Sequence, residues 1–221
     1  AKYMPITAIT SWIGSLALIG TPFFSGFYSK DTIIEAVGES HRWGAPYAYW
    51  CVLAGVFVTA LYSFRLIFMT FHGPERFRQV EAAHGHDEHK NDDHKHDDHG
   101  HDDHHGPVEP HESPLVVTGP LIALAIPSLL IGFLTVGPVL FGGYFGDAIR
   151  VFEQNDVVGE LGKEFQSPTQ MALHGFAAPT FWLAAAGVFF AWLFFLKNPK
   201  WADAWAKALA PIRNVLLNKY Y

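Results

Sequence analysis

The chain has 221 residues, of which half are hydrophobic and only 16% are charged, and its formal net charge is −6. This apolar balance is unlike that of most soluble domains. Cys51 is the single cysteine, which excludes a disulfide framework and a thiolate metal site.

Four long stretches of the sequence lack Asp, Glu, Lys and Arg. Because a helix rises about 1.5 Å per residue, about 20 apolar residues cross a hydrocarbon core roughly 30 Å thick. The pattern predicts an all-α membrane protein with four transmembrane helices, since buried helices of soluble proteins rarely run past about 20 residues without a polar face. The stretches are 3–29, 44–64, 113–146 and 165–196.

The first apolar stretch contains a helix-breaking sequence, IGTPFFSGFYSKD, at residues 19–31. Pro22 removes a backbone donor and crowds a preceding carbonyl, and Gly26 adds conformational freedom four residues later. These residues favour a discontinuous helix whose first half stops near Gly20 and whose second half begins shortly afterwards. If the helix instead runs unbroken, Lys30 lies about 38 Å along its axis, in water.

The charges on the second half of this helix indicate ion chemistry. In the discontinuous arrangement, Lys30 lies inside the bilayer near the positive end of a helix dipole, where desolvation makes its proton easier to lose. The adjacent carboxylate of Asp31 opposes this loss of the Lys30 proton. Competing influences of this kind are typical of a proton carrier, so we expect Lys30 to carry protons and Asp31 to modulate its charge. Asp31, Glu35 and Glu39 share one helical face.

The other three crossings carry weaker signals. The second crossing, 46–71, contains Arg65 near its end, and the arginine either snorkels to the interface or pairs with a carboxylate inside the bundle. The third crossing contains three prolines, which free backbone carbonyls and predict a bent helix packed against protein. The fourth crossing begins near Pro168 and holds His174 close to its non-cytoplasmic end, where an interfacial position is its ordinary explanation.

Basic residues near the ends of the crossings predict the orientation of the chain. By the positive-inside rule, the N-terminus, the loop between the second and third crossings and the C-terminus are cytoplasmic.

From Pro199 an apolar stripe at helical spacing predicts a helix along the membrane surface, which Pro211 should interrupt. The predicted segments are the discontinuous and second helices (1–71), a His/Asp-rich cytoplasmic loop (72–112), the third and fourth helices (113–197) and the start of a membrane-surface helix (198–221).

The predicted loop contains ten histidines between residues 84 and 111, interleaved with Asp and Glu. Since the run has almost nothing apolar to bury, we expect it to be disordered. Imidazole and carboxylate suit divalent first-row metals, but ligands repeated in every register specify no single geometry. We therefore expect no specific metal site, and only adventitious binding at His94, His96, His99, His101, His104 and His105.

A divalent-metal transporter is the rival function that this loop raises. Such a protein needs ligands inside its crossings, commonly two at helical spacing. The crossings of this chain offer only His174, so the rival depends on the loop alone.

Two segments of the chain carry a family resemblance, IGSLALIGTPFFSGFYSKDTIIEAV and GVFVTALYSFRLIFMTFHGPER. In their amino-acid sequences and in their order along the chain they resemble the C-terminal third of the subunit L family of proton-pumping NADH:quinone oxidoreductase, respiratory complex I. They are similar, more distantly, to the large subunits of multisubunit cation/proton antiporters. The resemblance covers the chain except the histidine run, and we expect the chain to be an internal piece of a longer protein.

The resemblance implies roles for individual residues. In that family the segment matching 6–40 is a discontinuous helix, and its lysine, here Lys30, lies on a central hydrophilic axis and takes part in proton transfer. Asp31 is the adjacent acid, and Arg65, in the YSFR segment, is a possible partner in the axis. The break in the helix would be maintained by Pro22 and Gly26.

The resemblance also implies partners and location. The chain would be part of a translocase in a bacterial inner membrane without holding redox chemistry, because NADH, FMN, iron-sulfur clusters and quinone would be bound by other subunits. Its partners would be other membrane-arm subunits, the lipid bilayer and protons, and not nucleic acid. The alternative function is that of a subunit of a multisubunit sodium/proton antiporter.

Overall fold

The computed structural model describes residues 1–75, 109–152 and 155–220, and this part of the chain is built from helices joined by turns. Three of the helices continue into five-residue π-helical segments, at Phe68–His72, Gly137–Phe141 and Leu193–Lys197. A short 3₁₀ turn covers Gly146–Ala148. The α-helices are α1 (Pro5–Ile19), α2 (Ser25–Gly38), α3 (Ala45–Ile67), α4 (Leu115–Val136), α5 (Val157–Glu164), α6 (Pro168–Gly175), α7 (Pro179–Trp192), α8 (Pro199–Ala208) and α9 (Ala210–Leu217).

Three helical stretches are long and apolar enough to cross a membrane. They are Ala45–His72 with 28 residues, Leu115–Phe141 with 27 and Pro179–Lys197 with 19. Helix α1 is also apolar but has only 15 residues, so it is about 22 Å long and shorter than a hydrocarbon core. That α1 and α2 together form the first crossing stays a prediction.

The fourth predicted crossing begins later in the structure than the sequence analysis placed it. Pro168 begins the short helix α6, in which the Ser167 hydroxyl caps the backbone N–H of Gln170 at 3.2 Å. The candidate membrane span begins only at Pro179, because a proline holds the residue before it in an extended conformation and thereby separates α6 from α7. His174 therefore lies in the helix before the span and not within it.

The prolines of the third crossing do not end its helix. Pro120 and Pro127 both lie inside α4, which runs without interruption to its π-helical end. The helix packs against α1 and α2, and a Cβ added at Gly132 would lie 2.6 Å from the Cα of Ser25. The predicted packing of this crossing against protein is confirmed, whereas its bend stays a prediction.

The main hydrophobic core lies where α3 and α7 pack side by side against α1 and α2. Gly187 allows the closest approach of the two long helices, since a Cβ added there would lie 2.6 Å from the carbonyl oxygen of Phe57. Small residues at a helix contact let backbones pack closely in membranes. The buried members of this core include Ile19, Ile34, Leu53, Val56, Ala60, Phe64, Ile67, Ala184 and Ala191.

Three chain segments meet at one end of the bundle. The Tyr3 hydroxyl donates a hydrogen bond of 3.0 Å to Glu75, which follows α3. Glu112, just before α4, accepts one of 2.7 Å from the backbone N–H of Ile6. The beginning of α1, the end of α3 and the beginning of α4 thus lie on the same side, in agreement with the charge pattern. Which side faces the cytoplasm stays a prediction.

The segment after the last span is helical but interrupted. Helix α8 ends at Ala208, and Pro211 lies in the first turn of α9, so the predicted interruption is confirmed and falls at Leu209. The apolar stripe of these helices is exposed, with Trp201 52% and Ile212 60% accessible. Its placement along a membrane surface stays a prediction.

Candidate functional site

The helix break that the sequence predicts lies between α1 and α2. Gly20 adopts φ 78°, and two hydrogen bonds close the end of α1, from Gly20 N–H to the Ala17 carbonyl and from Thr21 N–H to the Leu16 carbonyl, each 3.1 Å long. This pair of bonds is the Schellman motif, which glycine favours because it accepts a left-handed backbone without steric cost. Phe23 also has a positive φ, of 72°. The predicted end of the first half near Gly20 is confirmed.

Gly26 brings the second half-helix back against the first. A Cβ added to Gly26 would collide with the carbonyl group of Ala17. Pro22 is buried in the connection between the two halves. Gly26 therefore permits a close approach of the two halves, and the expectation that both residues maintain the break stays a prediction.

Lys30 contacts the end of the first half-helix. Its Nζ donates a hydrogen bond of 3.4 Å to the carbonyl oxygen of Leu18, and its side chain packs over Gly20, whose added Cβ would lie 3.5 Å from Lys30 Cδ. The last four carbonyls of a helix have no partner within the helix. At the end of α1, the carbonyls of Leu16 and Ala17 accept the two Schellman hydrogen bonds. The next carbonyl, that of Leu18, accepts the hydrogen bond from the Lys30 ammonium.

This contact changes the electrostatic picture drawn from the sequence. The sequence analysis placed Lys30 near the positive end of a dipole, that of its own helix α2. The structure places the amine at the C-terminal end of α1, which carries negative partial charge and stabilises a cation. Sequence periodicity along α2 could not reveal this, because the carbonyl belongs to the preceding helix.

Asp31 points to a different partner. The residue is only 6% exposed, and its carboxylate accepts a hydrogen bond of 2.9 Å from the Thr180 hydroxyl. Thr180 is the second residue of α7, so the carboxylate lies at a helix N-terminus, where partial positive charge stabilises an anion. Lys30 and Asp31 are thus neighbours in sequence, but Lys30 contacts the C-terminal end of α1 and Asp31 contacts the N-terminal end of α7.

A cavity of about 420 Å³ opens beside Asp31. Glu35, one turn further along α2, also lines it, and α5 and α6 supply Lys163, Glu164 and His174. Three carboxylates, one ammonium and one imidazole therefore surround a space large enough for several water molecules. Such a set of titratable groups is suited to moving protons between side chains and water.

A second acidic cavity adjoins the first. It has a volume of about 400 Å³ and is lined by Glu39, Asp156 and Glu160. Glu164 lines both cavities, so the two spaces are neighbours. The acidic face of α2 thus faces two adjoining polar spaces, from the buried Asp31 to the exposed residues beyond the end of the helix.

Arg65 lies away from these groups. It is exposed in the last turn of α3, and its guanidinium lies 5.1 Å from the centre of the Phe195 ring. The structure therefore does not bring Arg65 together with Lys30 or Asp31, and its expected role as their partner gains no support. Its surroundings are those of a cation near the end of a span.

The histidines expected to bind metal adventitiously lie outside the described residues, as does nearly all of the histidine run. Within residues 1–75, 109–152 and 155–220, no group of three or more His, Cys, Asp and Glu side chains is arranged to hold a metal ion. His174 lies in a described region and lines the first acidic cavity instead.

Sequence reasoning did not assign Thr180, Glu164 or His174 to the site. The spacing of Asp31, Glu35 and Glu39 was the available signal, because it marked the face of α2 that lines the two cavities. No comparable signal marked Thr180, which is separated from Asp31 by 149 positions.

Known proteins resemble this chain over its whole length. A family described as NADH:quinone oxidoreductase/Mrp antiporter, TM, matches residues 1–61, which include α1, α2 and most of α3. NADH-quinone oxidoreductase subunit L of Neisseria meningitidis serogroup A is 47% identical over 223 residues, covering all of this chain and 32% of the relative. The serogroup B protein of the same name is 46% identical with the same coverage.

A more distant relative agrees with these. NAD(P)H-quinone oxidoreductase chain 5 of a Picosynechococcus species is 34% identical over 221 residues, covering all of this chain and 30% of the relative. The chain spans about a third of the length of the curated relatives it matches. Together with the broken helix and the apolar spans, these matches show that the chain is a membrane protein of the NADH:quinone oxidoreductase/Mrp antiporter family and corresponds to a part of its subunit L members.

Proposed function

We propose that this chain is the part of a subunit L protein that moves protons through the membrane arm of NADH:quinone oxidoreductase. The names of its relatives favour this function over that of a sodium/proton antiporter subunit. NADH, FMN, iron-sulfur clusters and quinone would be bound by other subunits, which are its partners in the complex. The membrane would be the bacterial inner membrane, with the end of the bundle that holds Tyr3 and Glu112 facing the cytoplasm.

Lys30 is the proposed proton carrier. Its ammonium form is held by the Leu18 carbonyl at the end of α1, and deprotonation weakens that interaction because the neutral amine no longer carries a charge. Charge arriving on a neighbouring group therefore shifts the balance between the two forms. The break in the helix supplies the exposed carbonyl on which this balance depends.

Asp31 and the acidic cavities form the proposed route onward. A proton released near Lys30 passes to Asp31, and from there through water in the first cavity to Glu35 and Glu164. Each of these side chains accepts and then donates a proton, so no net chemistry occurs along the route. The observation that carries the proposal is the buried Asp31 carboxylate, held by Thr180 at the inner end of the two acidic cavities.

Replacement of Lys30 in the longer protein tests the proposal. We expect Lys30→Ala to lower the number of protons pumped per NADH oxidised, measured in membrane vesicles, while the complex still assembles on native gels. Lys200→Ala is the matched control, because Lys200 is an exposed lysine at the beginning of α8, away from the helix break. An assembled Lys30→Ala complex that pumps as the Lys200→Ala complex does would refute the assignment.

A further inference from the structure

A further cavity beside the spans shares no lining residue with the two acidic cavities. It has a volume of about 690 Å³ and lies where the spans Ala45–His72 and Pro179–Lys197 both end, against α8 and α9. Its charged members are Arg65, Asp203 and Arg213, and its apolar members include Met69, Phe194 and Phe195. The cationic part and the apolar part of this lining therefore meet at the end of two membrane spans.

The charge of this lining selects an anion. Arg65 and Arg213 contribute two guanidinium groups, whereas Asp203 contributes one carboxylate. Arginine keeps its charge at every physiological pH, and its planar fork of donors matches the oxygens of a phosphate. The Arg65 guanidinium lies over the Phe195 ring. This contact leaves the N–H groups at the edge of the guanidinium available to an anion.

The position of Arg65 places that anion at the depth of lipid headgroups. Arg65 lies seven residues before the end of its span at His72, which is about 10 Å along a helix axis. A guanidinium so close to the hydrocarbon must reach outward to the interface, where the phosphates of the lipid are the nearest anions. The apolar lining next to it suits the first methylene groups of an acyl chain.

We propose that this cavity binds an anionic phospholipid. Its phosphate lies between Arg65 and Arg213, and the beginning of an acyl chain runs along Met69, Phe194 and Phe195. A lipid satisfies both halves of the lining, whereas a soluble phosphate would leave the apolar half facing water. The bound lipid would join α9 to the end of α3, since one arginine comes from each, and would hold the α8–α9 segment against the membrane surface.

Photolabelling of the assembled complex tests this proposal. The probes are phosphatidylglycerol and phosphatidylcholine that carry a photoreactive group early in one acyl chain, added to complex that contains the full-length protein. We expect the phosphatidylglycerol probe to label the peptide with Phe194 and Phe195. Each of Arg65→Gln and Arg213→Gln should lower that labelling by about five-fold, the effect of losing one basic residue near a lipid surface.

Control variants and a phosphate competition separate the possible outcomes. Arg42→Gln removes an exposed arginine elsewhere and should leave the labelling unchanged, and Arg65→Lys, which keeps the charge, should label more strongly than Arg65→Gln. If the glutamine variants fail to assemble, the lysine variants at both positions are compared with the unchanged protein and should label less. Equal labelling by both probes, labelling insensitive to both arginines, or equal competition by inorganic phosphate would overturn the proposal.

Discussion

The hydroxyl of Thr180 donates a hydrogen bond of 2.9 Å to the carboxylate of Asp31 across 149 positions of sequence. The bond joins the second half of the broken helix to the first turn of α7. It holds a buried carboxylate at the inner end of the acidic cavities. Without this bond the buried carboxylate of Asp31 lacks a hydrogen-bond donor, while every titratable group of the site is still present.

Thr180→Val tests the contribution of that hydrogen bond. A buried charged acceptor that loses its donor costs about 1–3 kcal/mol, so we expect fewer protons pumped per NADH oxidised and a less stable subunit. Thr180→Ser keeps the hydroxyl and should restore both. Pumping by the valine variant at the unchanged level would show that Asp31 does not depend on Thr180.

Gly26→Ala tests the close approach of the two half-helices. The added methyl would collide with the Ala17 carbonyl, and overpacking of this kind costs about 1–3 kcal/mol. Gly14→Ala is the matched control, since nothing lies within 4 Å of a Cβ added there and alanine favours the helix. We expect less assembled complex and faster thermal inactivation for Gly26→Ala alone, and equal thermal inactivation of the two variants would argue against the tight break.

Glu112 predicts a dependence on pH at the other end of α1. Hydrogen bonds from the Thr7 hydroxyl and from the backbone N–H groups of Ile6 and Thr7 hold the pKa of Glu112 below its ordinary value of 4.5. A lowered carboxyl pKa contributes stability that is fully present above the ordinary pKa and is lost as the pH falls through the lowered one.

Glu112→Gln checks this dependence by amide hydrogen exchange. At neutral pH we expect the amides of Ile6 and Thr7 to exchange faster in the variant, because the neutral amide oxygen is a weaker acceptor than the carboxylate. The difference from the unchanged protein should shrink as the pH falls below about 4.5. A difference that stays constant as the pH falls well below about 4.5 would mean that the charge of Glu112 is unimportant.

Deletion of residues 84–108 tests the prediction that the histidine run has no specific role. We expect the complex to pump protons as before and to bind less zinc or nickel, because nine of the ten imidazoles of the run are gone. Glu112 and its contacts with α1 remain in this variant, so the end of the bundle is preserved. Loss of pumping in an assembled complex would assign the run a function.

The break in the first helix could be predicted because its causes are local. Gly20, Pro22 and Gly26 lie within seven positions, and each acts on its own stretch of backbone. The acidic face of α2 followed in the same way from a spacing of four residues. Local signals of this kind need no knowledge of the tertiary fold.

The partners of the site residues could not be predicted, because they come from distant elements. Lys30 bonds a carbonyl of α1, and Asp31 bonds Thr180 of α7, so both contacts depend on how helices pack. The family resemblance implied a place for Arg65 in the axis, and the structure shows its guanidinium over the Phe195 ring, so that its part in proton transfer stays a prediction. The division of the fourth crossing at Pro179 was also missed, although its cause is local.

The proton-carrying role of Lys30 is tested most directly by Lys30→Arg. Arginine keeps the positive charge and its attraction to the Leu18 carbonyl, but it cannot release a proton in a protein. We predict that the assembled Lys30→Arg complex oxidises NADH but pumps as few protons per NADH as Lys30→Ala. An arginine complex that pumps at the unchanged ratio would contradict the account, since a fixed charge would then be sufficient.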